Sequence, residues 1–225
     1  YYIEVPGTSE DIRKVLQVNN QSDQEEGSYQ FVTVGVKHAR MVDLVYAWLT
    51  PFTDIRSAKE MTGGSSDAEF MRINQFYMET SQNMAKYQGL KAAGKEIELK
   101  YLGVYVLTVT DNSTFKGILN IADTVTAVND KTFESSKEMV DYVNSQTLGD
   151  KVKVTYQEDG KVKTAEGKII TLENGKNGIG IGLIDRTEVS SDVPIKFSTA
   201  GIGGPSAGMM FSLSIYTQIA DPTLR

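Results

Sequence analysis

Apolar and polar positions along the chain recur with two different periods, and the periods predict where strands and helices lie. Tyr29 to Val36 (YQFVTVGV) alternates and is rich in β-branched residues, so it reads as a strand. Met41, Leu44, Val45, Trp48 and Leu49 fall at helical spacing and stop at Pro51. A longer helix follows. Ser66-Asp67-Ala68-Glu69 has capping-box spacing, and Phe70, Ile73, Tyr77, Met84, Tyr87 and Leu90 continue it as an apolar stripe. Gly94 is a natural stop, and the stripe reads as core packing.

From Leu99 to Ile170 the pattern shifts to short strands. Val104, Val106 and Val109 open it, followed by Gly117-Ile118-Leu119 and a strand from Thr124 to Val128. Ser135-Ser136 caps a helix carrying Met139, Val140 and Val143. Two further strands, Val152 to Tyr156 and Val162 to Lys168, flank Asp159-Gly160, a hairpin signal. This segment has the size of a self-contained unit. The turn pairs Asn174-Gly175 and Asn177-Gly178 look like a boundary. A strand-like run from Ile179 to Ile184 and another from Val193 to Ser198 then lead into Gly201-Ile202-Gly203-Gly204-Pro205-Ser206-Ala207-Gly208. The last helix carries Met209, Met210, Leu213 and Ile219.

Composition narrows the chemistry. The chain has no cysteine, which removes disulfides, thiolate metal sites and cysteine catalysis together. Its one histidine, His38, excludes any triad or metal cluster needing several imidazoles, and it reads as structural or surface. No metal site and no cofactor is expected. A net charge of -6 gives no reason to expect nucleic acid or an anionic membrane surface as a partner. No apolar run approaches the roughly 18 residues a membrane span needs. The chain opens without an initiator Met and closes just after a helical pattern, so both ends read as cut from something longer.

The strand, glycine-rich loop and helix at residues 195–219 place Ser206 where backbone N–H groups point outward and the helix dipole favours negative charge. Pro205 suits a first helical turn. Such a loop can stabilise an acyl-transfer oxyanion while Ser206 attacks, or it can cradle a phosphate. The phosphate reading fails on spacing, because a dinucleotide fingerprint needs its third glycine where Ser206 stands and no Walker lysine follows. A plain helix start with a capping or surface serine remains open.

Gly204-Pro205-Ser206-Ala207-Gly208 resembles the nucleophile motif of the Lon peptidase family, whose serine pairs with a lysine. Ile195-Lys196-Phe197 before it and the apolar helix after it match that context. Ser81-Gln82-Asn83-Met84-Ala85 resembles a stretch on the long helix of Lon-type domains, and Tyr1-Tyr2-Ile3-Glu4-Val5-Pro6-Gly7 resembles the segment just outside the membrane anchor of the Gram-positive surface branch. Gly203 departs from the acidic residue usual in cytoplasmic Lon proteins. The resemblance implies Ser206 as nucleophile, with backbone N–H groups around Gly204, Pro205 and Ala207 stabilising the oxyanion. In the family the lysine lies several tens of residues beyond the serine, and no lysine of this chain carries over to that role. The chain as given is therefore expected not to hydrolyse peptides.

Residues 98–171 resemble a PDZ domain of the bacterial protease type. The resemblance rests on Tyr101-Leu102-Gly103-Val104 as carboxylate-binding loop, on residues 116–123 (KGILNIAD), on Ala127-Val128-Asn129-Asp130-Lys131 and on Leu148-Gly149-Asp150-Lys151-Val152. It implies peptide binding by strand addition at Leu102, Gly103 and Val104, with Met139 and Val143 on the helix as side-chain contacts or as core.

The expected fold is therefore α+β. A discontinuous Lon-type domain (1–97 and 172–225) would carry an inserted PDZ domain (98–171), a β-rich partial barrel with two helices. The function the resemblance implies is an ATP-independent, extracytoplasmic Ser-Lys endopeptidase held by an N-terminal anchor that precedes these residues. Its partners would be peptides or unfolded proteins, exported signalling peptides among them, with homo-oligomers formed by the full-length protein. The alternative is a non-catalytic PDZ peptide-binding or chaperone-like scaffold.

Overall fold

A computed structural model describes residues 1–220. In chain order its elements are β1 (Tyr2–Asp11), β2 (Leu16–Val18), β3 (Gln30–His38), α1 (Met41–Leu49), β4 (Asp54–Arg56), α2 (Ala58–Thr62), α3 (Asp67–Ala92), β5 (Glu98–Val109), β6 (Thr124–Val128), α4 (Ser136–Asn144), β7 (Lys151–Glu158), β8 (Lys161–Lys168), β9 (Ile170–Thr171), β10 (Asn177–Gly178), β11 (Ile181–Ser190), β12 (Ile195–Phe197) and α5 (Gly208–Ile219). They gather into two compact units, one made of Tyr1–Ile97 with the chain from Ser191 onward, the other of Glu98–Ser190.

In the first unit β1 is the centre of an antiparallel sheet ordered β3-β1-β4, and β2 pairs with β12. The capping box at the start of α3 forms as its spacing requires. The Ser66 hydroxyl accepts the Glu69 N–H at 3.3 Å, and the Glu69 carboxylate accepts the Ser66 N–H at 2.8 Å. The buried face of α3 shares only Leu90 with the predicted stripe, whose Phe70, Ile73, Tyr77 and Tyr87 are half-buried. Met78, Ala85, Gly89 and Leu90 are buried, whereas Met84 is exposed. Small residues decide this, because α5 approaches too closely for large ones. A Cβ on Gly89 would stand 2.8 Å from the Ser212 carbonyl oxygen and 2.9 Å from the Ile215 side chain. On α5 the inward side chains are Phe211, Ser214, Ile215 and Thr217, and Met209 points to solvent. With Ile12, Leu16 and Phe31 these residues make the core of the unit.

The second unit has a five-stranded antiparallel sheet ordered β11-β5-β6-β7-β8 and a small β9–β10 pair, with α4 packed beside β10 and β11. Asp159 and Gly160 both take positive φ (48° and 78°), as the tight β7–β8 hairpin demands. The α4 helix starts at the Ser135 hydroxyl, which accepts the Glu138 N–H at 3.2 Å. Val104, Val106, Phe115, Val125, Val128 and Val154 fill the core. The sequence reading closed this module at 171 and gave the run from Ile179 to Ile184 to the following segment. Instead β11 pairs along β5 from Ile181 opposite Val109 to Ser190 opposite Glu98, so the unit continues to Ser190. Hydrogen bonding to β5, not the turn pairs at 174–178, sets the boundary.

Candidate functional site

Leu102, Gly103 and Val104 lie in the middle of β5. Val104 faces Val125 of β6 on one side and Asp185 of β11 on the other, and Gly103 faces Arg186. Val104, paired on both sides, has no edge left for an added peptide; the β6 pairing begins there, and Leu102 falls at a register shift against β11. The close approach that needs a glycine at 103 is to β6: with φ of 129°, a Cβ there would overlap the Val125 carbonyl oxygen. Met139 and Val143 are 2% and 4% exposed and belong to the core cluster. Of the two readings left open for them, the structure takes core packing.

The sheet's free edge beside a helix is β11. Its approach, Gly178-Ile179-Gly180-Ile181-Gly182, is pinned from inside. The Ile179 carbonyl accepts from the Ser113 hydroxyl at 2.5 Å, and the Gly180 carbonyl accepts from the Thr110 N–H at 2.8 Å. Gly180 takes a φ of 73°, which a side chain would resist. Helix α4 flanks this edge and is tied to it at both ends. The Ser136 N–H donates to the Asp185 carboxylate at 3.1 Å, and the Asn177 amide donates to the Gln146 carbonyl at 2.7 Å. Ile181 and Leu183 pack partly buried against the core, so the floor between β11 and α4 is apolar. The run from Ile179 to Ile184 was read as strand-like, but it was assigned to the segment after the turn pairs at 174–178 and not to this sheet.

Tyr101 adds a polar group. Its hydroxyl is buried without a hydrogen-bond partner, and burial, then Asp185 and Glu138, push its ionisation far above the ordinary range. An unpaired buried hydroxyl costs about 1–3 kcal/mol. Tyr101→Phe is therefore expected to keep or raise stability, by up to about 1 kcal/mol in chemical denaturation. A clear loss of stability would mean the hydroxyl has a partner.

Residues 75–169 match the model of the PDZ domain family. The chain contains a PDZ domain. Solved structures similar to it include the PDZ domain of the SdrC-like protein of Listeria monocytogenes, at 35% identity over 39% of this chain and 93% of that one, with a TM-score of 0.37. The second domain of a Listeria protein, solved in solution, is 39% identical over 38% of this chain and 87% of that one, with a TM-score of 0.35. A solution structure from Geobacillus thermodenitrificans is 30% identical over 36% and 94%, with a TM-score of 0.33. No curated protein matches the chain. The PDZ match begins within α3 and ends just after β8, so it leaves β11 outside its range although β11 belongs to the same sheet.

The Ser206 loop belongs to the first unit. Helix α5 begins at Gly208, so Pro205 and Ser206 stand in the turn before it and not in its first turn as the sequence suggested. The turn is fixed at Pro205, whose carbonyl accepts from the Ser81 hydroxyl at 3.0 Å and from the Gly208 N–H at 3.3 Å. Ser206 is exposed and Ala207 is buried. The Gly204 N–H is committed to the Asn74 carbonyl at 3.0 Å and Pro205 has no N–H, so neither offers the loop a free backbone donor. A cleft of about 820 Å³ leads up to the loop, walled by Val34, Val36, Phe70, Met78, Phe197 and Ile202.

Two groups of this unit bear on a base. Lys86, half-buried on α3, is held below the ordinary lysine range by burial, partly offset by Glu79, and its amine lies 5.5 Å from the Phe197 ring centre. It flanks β12, whereas Asn74 and Ser81 are the α3 residues that bond to the serine loop, at Gly204 and Pro205. His38 is bound to Asp67 at 2.5 Å and stacks on Tyr2, a structural setting. Among the described residues no cluster of three or more His, Cys, Asp or Glu forms a metal site.

Proposed function

We propose that this protein is a peptide-binding scaffold that takes an extended peptide as an added strand on β11, with α4 as the opposite wall. The observation that carries the reading is that β11 is an edge strand beside α4, entered through a glycine-rich approach. Strand addition supplies backbone hydrogen bonds along such an edge, and the apolar floor at Ile181 and Leu183 favours an aliphatic side chain on the peptide. Titration of the whole chain with a panel of short peptides ending in an apolar residue, followed by amide NMR, tests it. Shifts concentrated in residues 178–187 and in α4 are expected. Absence of binding across the panel, or shifts confined to the first unit, would refute the site.

A second reading has its own support. The order of β12, glycine loop and α5, the exposed Ser206 and a cleft lined by the start of that loop, Gly201 to Gly203, suit a Lon-like serine endopeptidase. In that reading Ser206 is the nucleophile and its base is a lysine that these residues do not place beside it. The protein would act on exported peptides outside the cytoplasmic membrane, held there by an N-terminal anchor. Hydrolysis is expected only when the chain is extended through its downstream coding sequence, and Ser206→Ala in that longer protein should remove at least about 1,000-fold of the rate. Activity that survives Ser206→Ala would sink this assignment.

A further inference from the structure

Strand β3 is a long edge without the protection seen elsewhere in this chain. It lies outermost in the order β3-β1-β4 and runs nine residues. Folded proteins blunt such edges with charges, prolines, bulges or brevity. The outer strand β8 of the other sheet shows the device, because Lys161, Lys163, Glu166 and Lys168 make up half of its eight residues. From Gln30 to Val36, QFVTVGV, β3 has neither a charge nor a proline. The irregularity in its pairing falls on β1, which advances from Pro6 to Ser9 while β3 moves only from Val34 to Val32. Val32, Val34 and Val36 share one face, and Val32 is 74% and Val34 68% exposed.

That face looks into the cleft of about 820 Å³. Val34 and Val36 line it together with Met71 and Met78 of α3 and with Phe197 and Ile202. Its charged lining groups are two carboxylates, Glu4 and Glu79, and Glu4 accepts from Arg56 at 3.2 Å. No lysine or arginine is among the lining residues, so an acidic side chain entering the cleft would shed water with no cation to meet it. Two features therefore meet at one place. One is a row of backbone groups that an added strand can pair, the other an apolar space flanked by every second residue of β3. An extended segment matches both, since its side chains alternate with the same period. A second copy of β3 matches only the first. Its valines would stay over its own cleft, and both clefts would be left unfilled.

We infer that β3 takes an extended apolar polypeptide segment as an added strand, with alternate side chains of that segment seated in the cleft beside Val34, Met78 and Ile202. Pairing along an edge needs no free peptide end, so internal segments of an unfolded chain qualify. The site lies in the first unit and is separate from the β11 edge. Binding there needs no hydrolysis, so the inference does not rest on Ser206 being a nucleophile.

The experiment titrates the whole chain with the peptide acetyl-Lys-Val-Thr-Met-Thr-Val-Lys-amide, capped at both ends, and reads amide NMR shifts and affinity. Shifts should gather in residues 32–36, in α3 from 70 to 78 and in residues 197–203. N-methylation at the Val and Met positions and N-methylation at the Thr positions should differ. One form should lose about tenfold or more in affinity and the other bind as the parent does, because strand pairing uses alternate amides. Aspartate in place of the central Met should weaken binding about tenfold or more. Val34→Lys, at an exposed position, should fold as wild type by circular dichroism and bind about tenfold more weakly or less. Shifts confined to residues 178–187, or no binding at all, would overturn the proposal. Equal binding by both N-methylated forms would overturn the added strand. A doubled mass in analytical ultracentrifugation without peptide, returned to a single copy by Val34→Lys, would overturn it too and assign the edge to a second copy of the chain.

Discussion

Gly103→Ala is expected to destabilise the PDZ unit by about 3 kcal/mol or more, although it adds one methyl group. Two costs combine. The position has a φ of 129°, in a region that L side chains rarely adopt, and the new Cβ would overlap the Val125 carbonyl oxygen and lie 3.1 Å from its carbonyl carbon. The obstacle is the backbone of β6, so no side-chain rotation relieves it. Separating β5 from β6 would disturb the pairs Val104–Val125 and Tyr105–Thr124 at the centre of the five-stranded sheet. Hydrogen exchange read by mass spectrometry should show loss of protection in β5, β6 and β7. Because the two cores share no residue, α3 and α5 should stay protected. Wild-type protection in β5 and β6 would show that the strands tolerate the methyl and that this account of Gly103 is wrong.

The second large effect belongs to the other unit. Phe211 is fully buried, with its ring set edge-on to Phe31 at 5.8 Å and to Phe197 at 4.9 Å. Phe211→Ala should cost about 3–5 kcal/mol, from lost burial, lost aromatic contacts and the cavity left between α5 and β12. The consequence reaches the serine loop. That loop is held between β12 and α5, and Ser81 grips it at Pro205, so slack under α5 loosens the position of Ser206. Denaturant unfolding measures the stability loss. Protection of the Gly208 amide reports the loop, and an unchanged midpoint would mean the neighbouring rings close over the space.

Local signals in the sequence were read correctly where the deciding contacts are local. The capping box at Ser66 and Glu69, the Ser135 cap, the Asp159-Gly160 hairpin and the strand from Thr124 to Val128 all depend on a few adjacent residues, and all appear as expected. The stop of α1 before Pro51 is of the same kind. The N-terminal strand β1 was missed. Its run YIEVPGTSED carries a proline and a glycine, which weaken the strand pattern, and it forms because β3 and β4 pair with it on either side.

The sequence alone determined that there are two kinds of segment, that a PDZ-like run occupies the middle, and that Ser206 follows a glycine-rich strand–loop junction. Tertiary structure decided which edge and which face are available. Leu102-Gly103-Val104 looked like a peptide-binding edge until β11 paired along β5 and became the edge itself. The apolar stripe of α3 looked like core. Ala85 and Gly89 drew α5 onto another face of α3, and α1 was left with its apolar side in the open. The physical reason is common to all three. Periodicity records that a residue is apolar or that a strand will form. Which partner arrives, and how closely, depends on residues distant in the chain, and a glycine or alanine that permits close approach leaves almost no mark on a hydrophobicity pattern.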